Sequence, residues 1–167
     1  MKRPKESAGS PTPHEAGQSE TVKPAKNRIL VVDDDSSVRE MLTRVLAGEG
    51  YLVWAAANGT VALEIAAAAK IDLVLLDLNM PGKSGWETFE RLTAENPLLA
   101  VIIITARSNQ LFTALGAGVG ALLEKPLDFP KLLQTISRLF SEPVESRLAR
   151  RSGSPADFYH VHAQHKG

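Results

Sequence analysis

The chain has 167 residues, no cysteine, and 19 basic against 19 acidic side chains. That length suits one domain with its own core; the charge balance excludes a globally basic binder of nucleic acid or membrane surface, and the missing cysteines exclude disulfides and thiolate metal sites. No apolar run approaches the ~18 residues of a spanning helix and the N-terminus has no apolar signal core, so no membrane partner and a cytoplasmic location are expected.

Residues 1–27 hold four of the ten prolines among Ser, Thr, Gly, Glu and Lys. So little apolar surface cannot offset the entropy of ordering, and a disordered N-terminal tail is expected there. From Arg28 the pattern alternates. "RILVVD" is a short β-branched run, and "SSVREMLTRVLAGEG" sets Val38, Met41, Leu42, Val45 and Leu46 at helical spacing, with Ser36 as candidate N-cap and Gly48 or Gly50 as the stop. "YLVWAA" with "NGTVALEIAAAAK", "IDLVLLD" with "SGWETFERLTAENP", "LAVIIIT" with "SNQLFTALGAG", and "VGALLEK" with "DFPKLLQTISRLF" repeat the unit. Strands alternating with helices imply an α/β fold with a parallel sheet and right-handed crossovers. Five units over residues 28–140 make an open doubly wound domain, since a barrel would need eight. Residues 141–167 mix breakers with charge and are expected to form a flexible C-terminal tail, with room in "VESRLARR" for a turn or two of helix. No DNA-binding domain fits in that space.

In open sheets of this kind the site lies beyond the carboxyl ends of the strands. Strand one ends in Asp33, Asp34 and Asp35, strand three in Asp77, strand four in Thr105, and strand five in Lys125. Taken singly, such residues cap helices or sit on solvated surfaces; together they converge on one edge. Carboxylates brought this close repel, so either some take up protons or a hard cation sits among them. Oxygen donors without His or Cys select Mg²⁺ over Zn²⁺. Lys125 offers a positive charge and Thr105 a hydroxyl to the oxygens of a dianion at Asp77.

The motifs "ILVVDDD", "VLLDLNMPGKSG", "IIITA" and "EKPL", in this order, resemble those of response-regulator receiver domains of two-component systems, over about residues 28–140. The resemblance implies a flavodoxin-like (βα)5 fold with strand order 2-1-3-4-5. It implies that Asp77 accepts a phosphoryl group from the phosphohistidine of a sensor histidine kinase or phosphotransfer protein, in a signalling reaction and not as a separate enzyme. By the same token Asp34 and Asp77 ligate Mg²⁺, Asn79 adds its backbone carbonyl, and Asp33 acts through water. Lys125 and Thr105 contact the phosphoryl group, and Ala106 leaves room for it. Asn79 and Arg107 stand at positions that set phosphoryl lifetime in the family. Pro81, Gly82 and Gly85 serve the turn into the next helix, as they would in any strand-to-helix connection.

One departure concerns the switch. Three residues before the strand-five Lys many receivers carry Tyr or Phe, and this chain has Leu122, which has no polar tip to swing. The fourth helix, with Gly116 and Gly118 near its end, is expected to be the least stable of the five. With strand five and helix five it would offer a face for a downstream protein or for a homodimer, built around Phe112, Leu127 and Phe129. The near-C-terminal His160, His162 and His165 match no structural metal site by spacing and read as part of a disordered tail.

Two other classes compete. One is an unswitched receiver-like protein-binding module, which Leu122 favours and the complete acidic set opposes. The other is a phosphatase of the haloacid-dehalogenase kind, which needs an acid two residues after the nucleophile where this chain has Asn79.

Overall fold

In the computed structural model, residues 26–82, 84–153 and 158–163 are described. The strands are β1 (Arg28–Val32), β2 (Leu52–Ala56), β3 (Leu73–Asp77), β4 (Ala100–Thr105), β5 (Ala121–Glu124) and β6 (Tyr159–Val161). Between them run α1 (Ser36–Gly48), α2 (Gly59–Ala68), α3 (Gly85–Glu95), α4 (Leu111–Ala117), α5 (Phe129–Ser141) and α6 (Val144–Arg151), with a 3-10 turn at Ser108–Gln110 ahead of α4.

All neighbouring strands pair in parallel, in the order β2-β1-β3-β4-β5-β6. The first five strands therefore follow the expected 2-1-3-4-5 order. The central strands β3 and β4 are buried at every residue, because helices cover both faces. Strand alternation sorts the core into two layers. Leu30, Val32, Val74, Leu76, Val101, Ile103 and Leu122 pack with Ala62, Phe89, Leu92 and Ala114 of α2, α3 and α4. Ile29, Val31, Leu73, Leu75, Ile102, Ile104 and Leu123 pack on the other face with Leu42 and Leu46 of α1 and Leu132, Ile136 and Leu139 of α5.

Three sequence expectations change. The N-cap of α1 is Asp35, not Ser36: its carboxylate accepts from Ser37 N and Val38 N at 2.9 and 3.3 Å, because its own backbone is still extended where Ser36 is already helical. Met41 is 43% exposed and does not join the core.

The third change is at the C-terminus. The segment expected to be a flexible tail contains α6 and β6. Helix α6 is "VESRLARR" itself, separated from α5 by Pro143, and it docks through two arginines. Arg150, 8% exposed, meets the carboxylate of Glu142, while Arg147 donates to the carbonyl of Leu139 at 2.7 Å. The end of α6 lies against Gly118, whose φ of +74° closes α4 and where an added Cβ would stand 3.0 Å from the Arg150 carbonyl oxygen. Strand β6 then extends the sheet beyond β5, with Tyr159 under the Arg138 guanidinium at 5.2 Å. The sequence signal for this was weak because three strand residues near a chain end show no periodicity. Residues 1–25 and His165 lie outside the described residues.

Candidate functional site

The carboxyl ends of β1, β3, β4 and β5 lie side by side, since Val32 is level with Leu76, Asp77 with Ile104, and Thr105 with Glu124. The residues that follow each strand therefore meet at one edge of the sheet, as the topology requires. Asp33 and Asp77 are nearly inaccessible, at 1% and 2% exposure, whereas Asp34 is exposed. Carboxylate oxygens of the three lie within 4.8 Å of one another. Lys125, arriving from β5, places its Nζ 3.2 Å from Asp33 Oδ2 and 3.2 Å from Asp77 Oδ2.

Local turns fix both buried acids. Asp33 Oδ1 accepts from the backbone N–H of Asp35 and Asp77 Oδ1 from that of Asn79, each at 2.9 Å. One oxygen of each carboxylate is thus tied to its own loop and the other meets Lys125. The backbone after Asp77 turns at Pro81 and Gly82, the latter with φ +86°, and α3 begins at Gly85. Gly85 sits where a side chain would crowd the backbone: a Cβ there would come within 2.8 Å of Leu78 Cα and 3.0 Å of the Asp77 carbonyl oxygen. The helix following the acid starts directly behind it.

Electrostatics follow from this geometry. Burial pushes the Asp33 carboxyl above its ordinary range; the Asp35 N–H and Lys125 pull it down and Asp77 pushes it up, and the upward causes prevail. Burial alone would lower the Lys125 ammonium, but the charges of Asp77 and Asp33 outweigh it and hold that group above the ordinary lysine value. Three carboxylates against one ammonium leave a surplus of negative charge. An all-oxygen donor set of this charge fits a hard divalent cation such as Mg²⁺, so the residues present suit the ion that the sequence implied.

The other expected residues take distinct places. Thr105 is fully buried, its Oγ1 accepts from Arg107 N at 3.0 Å, and its carbonyl accepts from Lys125 N at 2.8 Å. Ala106 and Arg107 are exposed just beyond β4, and Asn79 is half-buried beside Asp77. Leu122 is not at the site: it is 0% exposed, in the core layer shared with α2, α3 and α4. Leu127 and Phe129 pack against the opposite layer, and the side chain of Phe112 lies outside the described residues.

Two features escaped the sequence reading. Arg39, one turn into α1, donates to the Asp33 carbonyl oxygen at 2.6 Å and helps hold the acidic loop; its position after "DDDSSV" was the available signal. Glu124, immediately before Lys125, gathers His160 and His162 from the C-terminal segment. Burial would raise its carboxyl, but hydrogen bonds from His160 and the Ala163 N–H, with the charge of both imidazoles, outweigh that and hold it below the ordinary glutamate value.

Residues 29–137 match the family model described as response regulator receiver domain. The transcriptional regulatory protein ZraR of Klebsiella oxytoca is 41% identical over 137 residues, covering 77% of this chain and 31% of that protein. The DNA-binding response regulator MtrA of Mycobacterium tuberculosis is 38% identical over 138 residues, covering 81% of this chain and 57% of that protein. The chain thus spans about a third to a little over half the length of these relatives. Among solved structures, a CheY-like receiver domain protein from Methanospirillum hungatei superposes with a TM-score of 0.67 at 29% identity, covering 70% of this chain and 96% of that one. The response regulator TrrA of Thermotoga maritima, crystallised in complex with Mg²⁺ and beryllium fluoride, gives 0.64 at 34% identity, covering 68% and 98%.

Proposed function

The chain belongs to the response-regulator receiver-domain family, and on that premise we propose that it is a phosphoacceptor whose Asp77 takes a phosphoryl group from a phosphohistidine. The donor would be a sensor histidine kinase or a histidine phosphotransfer protein. The observation that carries this reading is Lys125 spanning Asp33 and Asp77 at 3.2 Å each, next to the exposed carboxylate of Asp34.

An ionised aspartate needs no base to deprotonate it, so the work is positioning and charge neutralisation. An Asp77 carboxylate oxygen attacks phosphorus, the phosphorus–nitrogen bond of the donor breaks, and the imidazole leaves with the bonding pair. Lys125 moves its charge from Asp77 onto a phosphoryl oxygen while keeping Asp33. Thr105 exchanges its Arg107 contact for another phosphoryl oxygen, and Ala106, with only a methyl side chain, leaves space. Asp34, Asp77 and the Asn79 carbonyl would hold Mg²⁺, with Asp33 acting through water; when bound, the ion supplies positive charge against the transferring group. The similar TrrA, crystallised with Mg²⁺, supports that choice of ion. Arg107 and Asn79 border the approach of a hydrolytic water and would set how long the acyl phosphate lasts.

The output face would comprise α4, β5 and α5, met by an unknown downstream protein or a second copy in the cytoplasm. Strand β6 runs along the β5 edge of that face, so a partner docking there meets the C-terminal segment as well. A second reading, an unswitched binding module of the same fold, draws on the complete burial of Leu122.

Incubation with acetyl phosphate and Mg²⁺ separates the two. The phosphoacceptor reading expects a stoichiometric, hydroxylamine-labile adduct that is lost in Asp77→Asn and absent without metal. No adduct, under conditions where another receiver is labelled, leaves the binding-module reading.

A further inference from the structure

Apart from the acidic pocket, one group of metal-ligating side chains converges among the described residues: Glu124, His160 and His162, with a donor atom of each within 4.8 Å of the others. We propose that these three side chains form a second metal site, for a divalent transition ion of the Zn²⁺ type, which fastens β6 to β5.

The arrangement follows from strand geometry. His160 and His162 are two residues apart, so both imidazoles leave the same face of the extended chain, and their ring centres are 4.0 Å apart. In the parallel register Leu122 is opposite His160 and Leu123 opposite Val161, which brings Glu124 level with His162 on that same face. Glu124 Oε1 lies 2.8 Å from His160 Nε2 and 3.6 Å from His162 Nδ1. A tetrahedral ion bound at ~2.1 Å spaces its donors ~3.4 Å apart, and the two distances bracket that value. The other carboxylate oxygen accepts from Ala163 N at 3.3 Å, which turns Oε1 toward the imidazoles as an outer hydrogen bond orients a ligand.

Donor chemistry selects the ion. Two imidazole nitrogens with one carboxylate suit Zn²⁺ and its neighbours and not Mg²⁺, whose preference is oxygen and water. Three protein ligands leave the remaining positions to water. The chain would thus hold two chemically distinct ions near the carboxyl end of β5, the hard one in the Asp33, Asp34 and Asp77 pocket beside Lys125 and the softer one at Glu124.

The test is a Zn²⁺ titration of the full, tag-free chain in excess Mg²⁺, competed against a chromophoric chelator, with Co²⁺ as spectroscopic probe. One equivalent should bind saturably, and Co²⁺ should give the visible bands of a low-coordinate site. His162→Ala, at a side chain that is 74% exposed and so dispensable for folding, should weaken binding by about 10-fold or more, as should Glu124→Gln. A His14→Gln, His165→Gln double variant should bind as wild type does. Absence of saturable binding, unchanged affinity in both site variants, or loss of binding in the double variant would overturn the proposal.

Discussion

Lys125 stands 3.2 Å from Asp77, although 48 residues separate them in the chain, and the ammonium is held there by charge against the burial that opposes it. The pair links the end of β5 to the end of β3, and a second contact of equal length to Asp33 reaches β1.

Lys125→Met keeps the length of the side chain and removes its charge. It strands two nearly inaccessible carboxylates beside each other, so stability in metal-free buffer should fall by about 1–3 kcal/mol, less than for a fully buried pair because the lysine is partly solvated. Millimolar Mg²⁺ should restore part of that loss, read as a urea midpoint with and without the ion. Labelling by acetyl phosphate should be slowed strongly even where the fold recovers.

Gly85→Ala puts a methyl into the space occupied by Leu78 Cα and the Asp77 carbonyl oxygen. Helix α3 must retreat or the loop after Asp77 must shift, for a destabilisation of about 1–3 kcal/mol. Gly116→Ala, where nothing lies within 4 Å of the added methyl, should instead be neutral or slightly stabilising. Paired denaturation curves separate steric crowding from helix propensity.

Leu122 tests whether an aromatic can be restored by substitution alone. The residue is fully enclosed by the layer beneath α2, α3 and α4, so Leu122→Tyr overfills the site and should cost about 1–3 kcal/mol. Phosphorylation of Asp77 should survive the change, since Leu122 is enclosed in the apolar layer and supplies no group to the acidic pocket, and a labelling assay alongside a thermal melt reads both effects.

Glu124 gives a pH signature. Its folded-state value lies below the ordinary 4.5, so its contribution to stability is complete above the unfolded value and is lost as pH falls through the depressed folded one. The stability difference between wild type and Glu124→Gln should therefore shrink as pH falls below about 4.5. A difference that kept growing as pH fell below that value would contradict a carboxylate held below its ordinary range.

How far the sequence revealed the molecule depended on where each signal resides. Strands β1 to β5 were legible because a strand covered on both faces must be apolar at nearly every position, and β3 and β4 are. The acids and Lys125 were legible because each ends such a run. The cap of α1 was misassigned by one residue, since Asp35 and Ser36 are both good N-caps and only the backbone angles separate them. Strand β6 and the Glu124 cluster could not be read from local pattern: three strand residues gain their register from β5, and the carboxylate facing His160 is 36 positions upstream. Leu122, where the family resemblance raised the expectation of an aromatic, is a fully buried part of the core.

The phosphoacceptor reading stands on Asp77 as the group modified. Its most direct test is to treat the phosphodonor-incubated protein with borohydride, which reduces an acyl phosphate to the alcohol, and to sequence the peptides by mass spectrometry. Homoserine is expected at position 77, dependent on Mg²⁺ during labelling. Unmodified Asp77 in a sample that has taken up phosphate, or homoserine at position 33 or 34 instead, would contradict it.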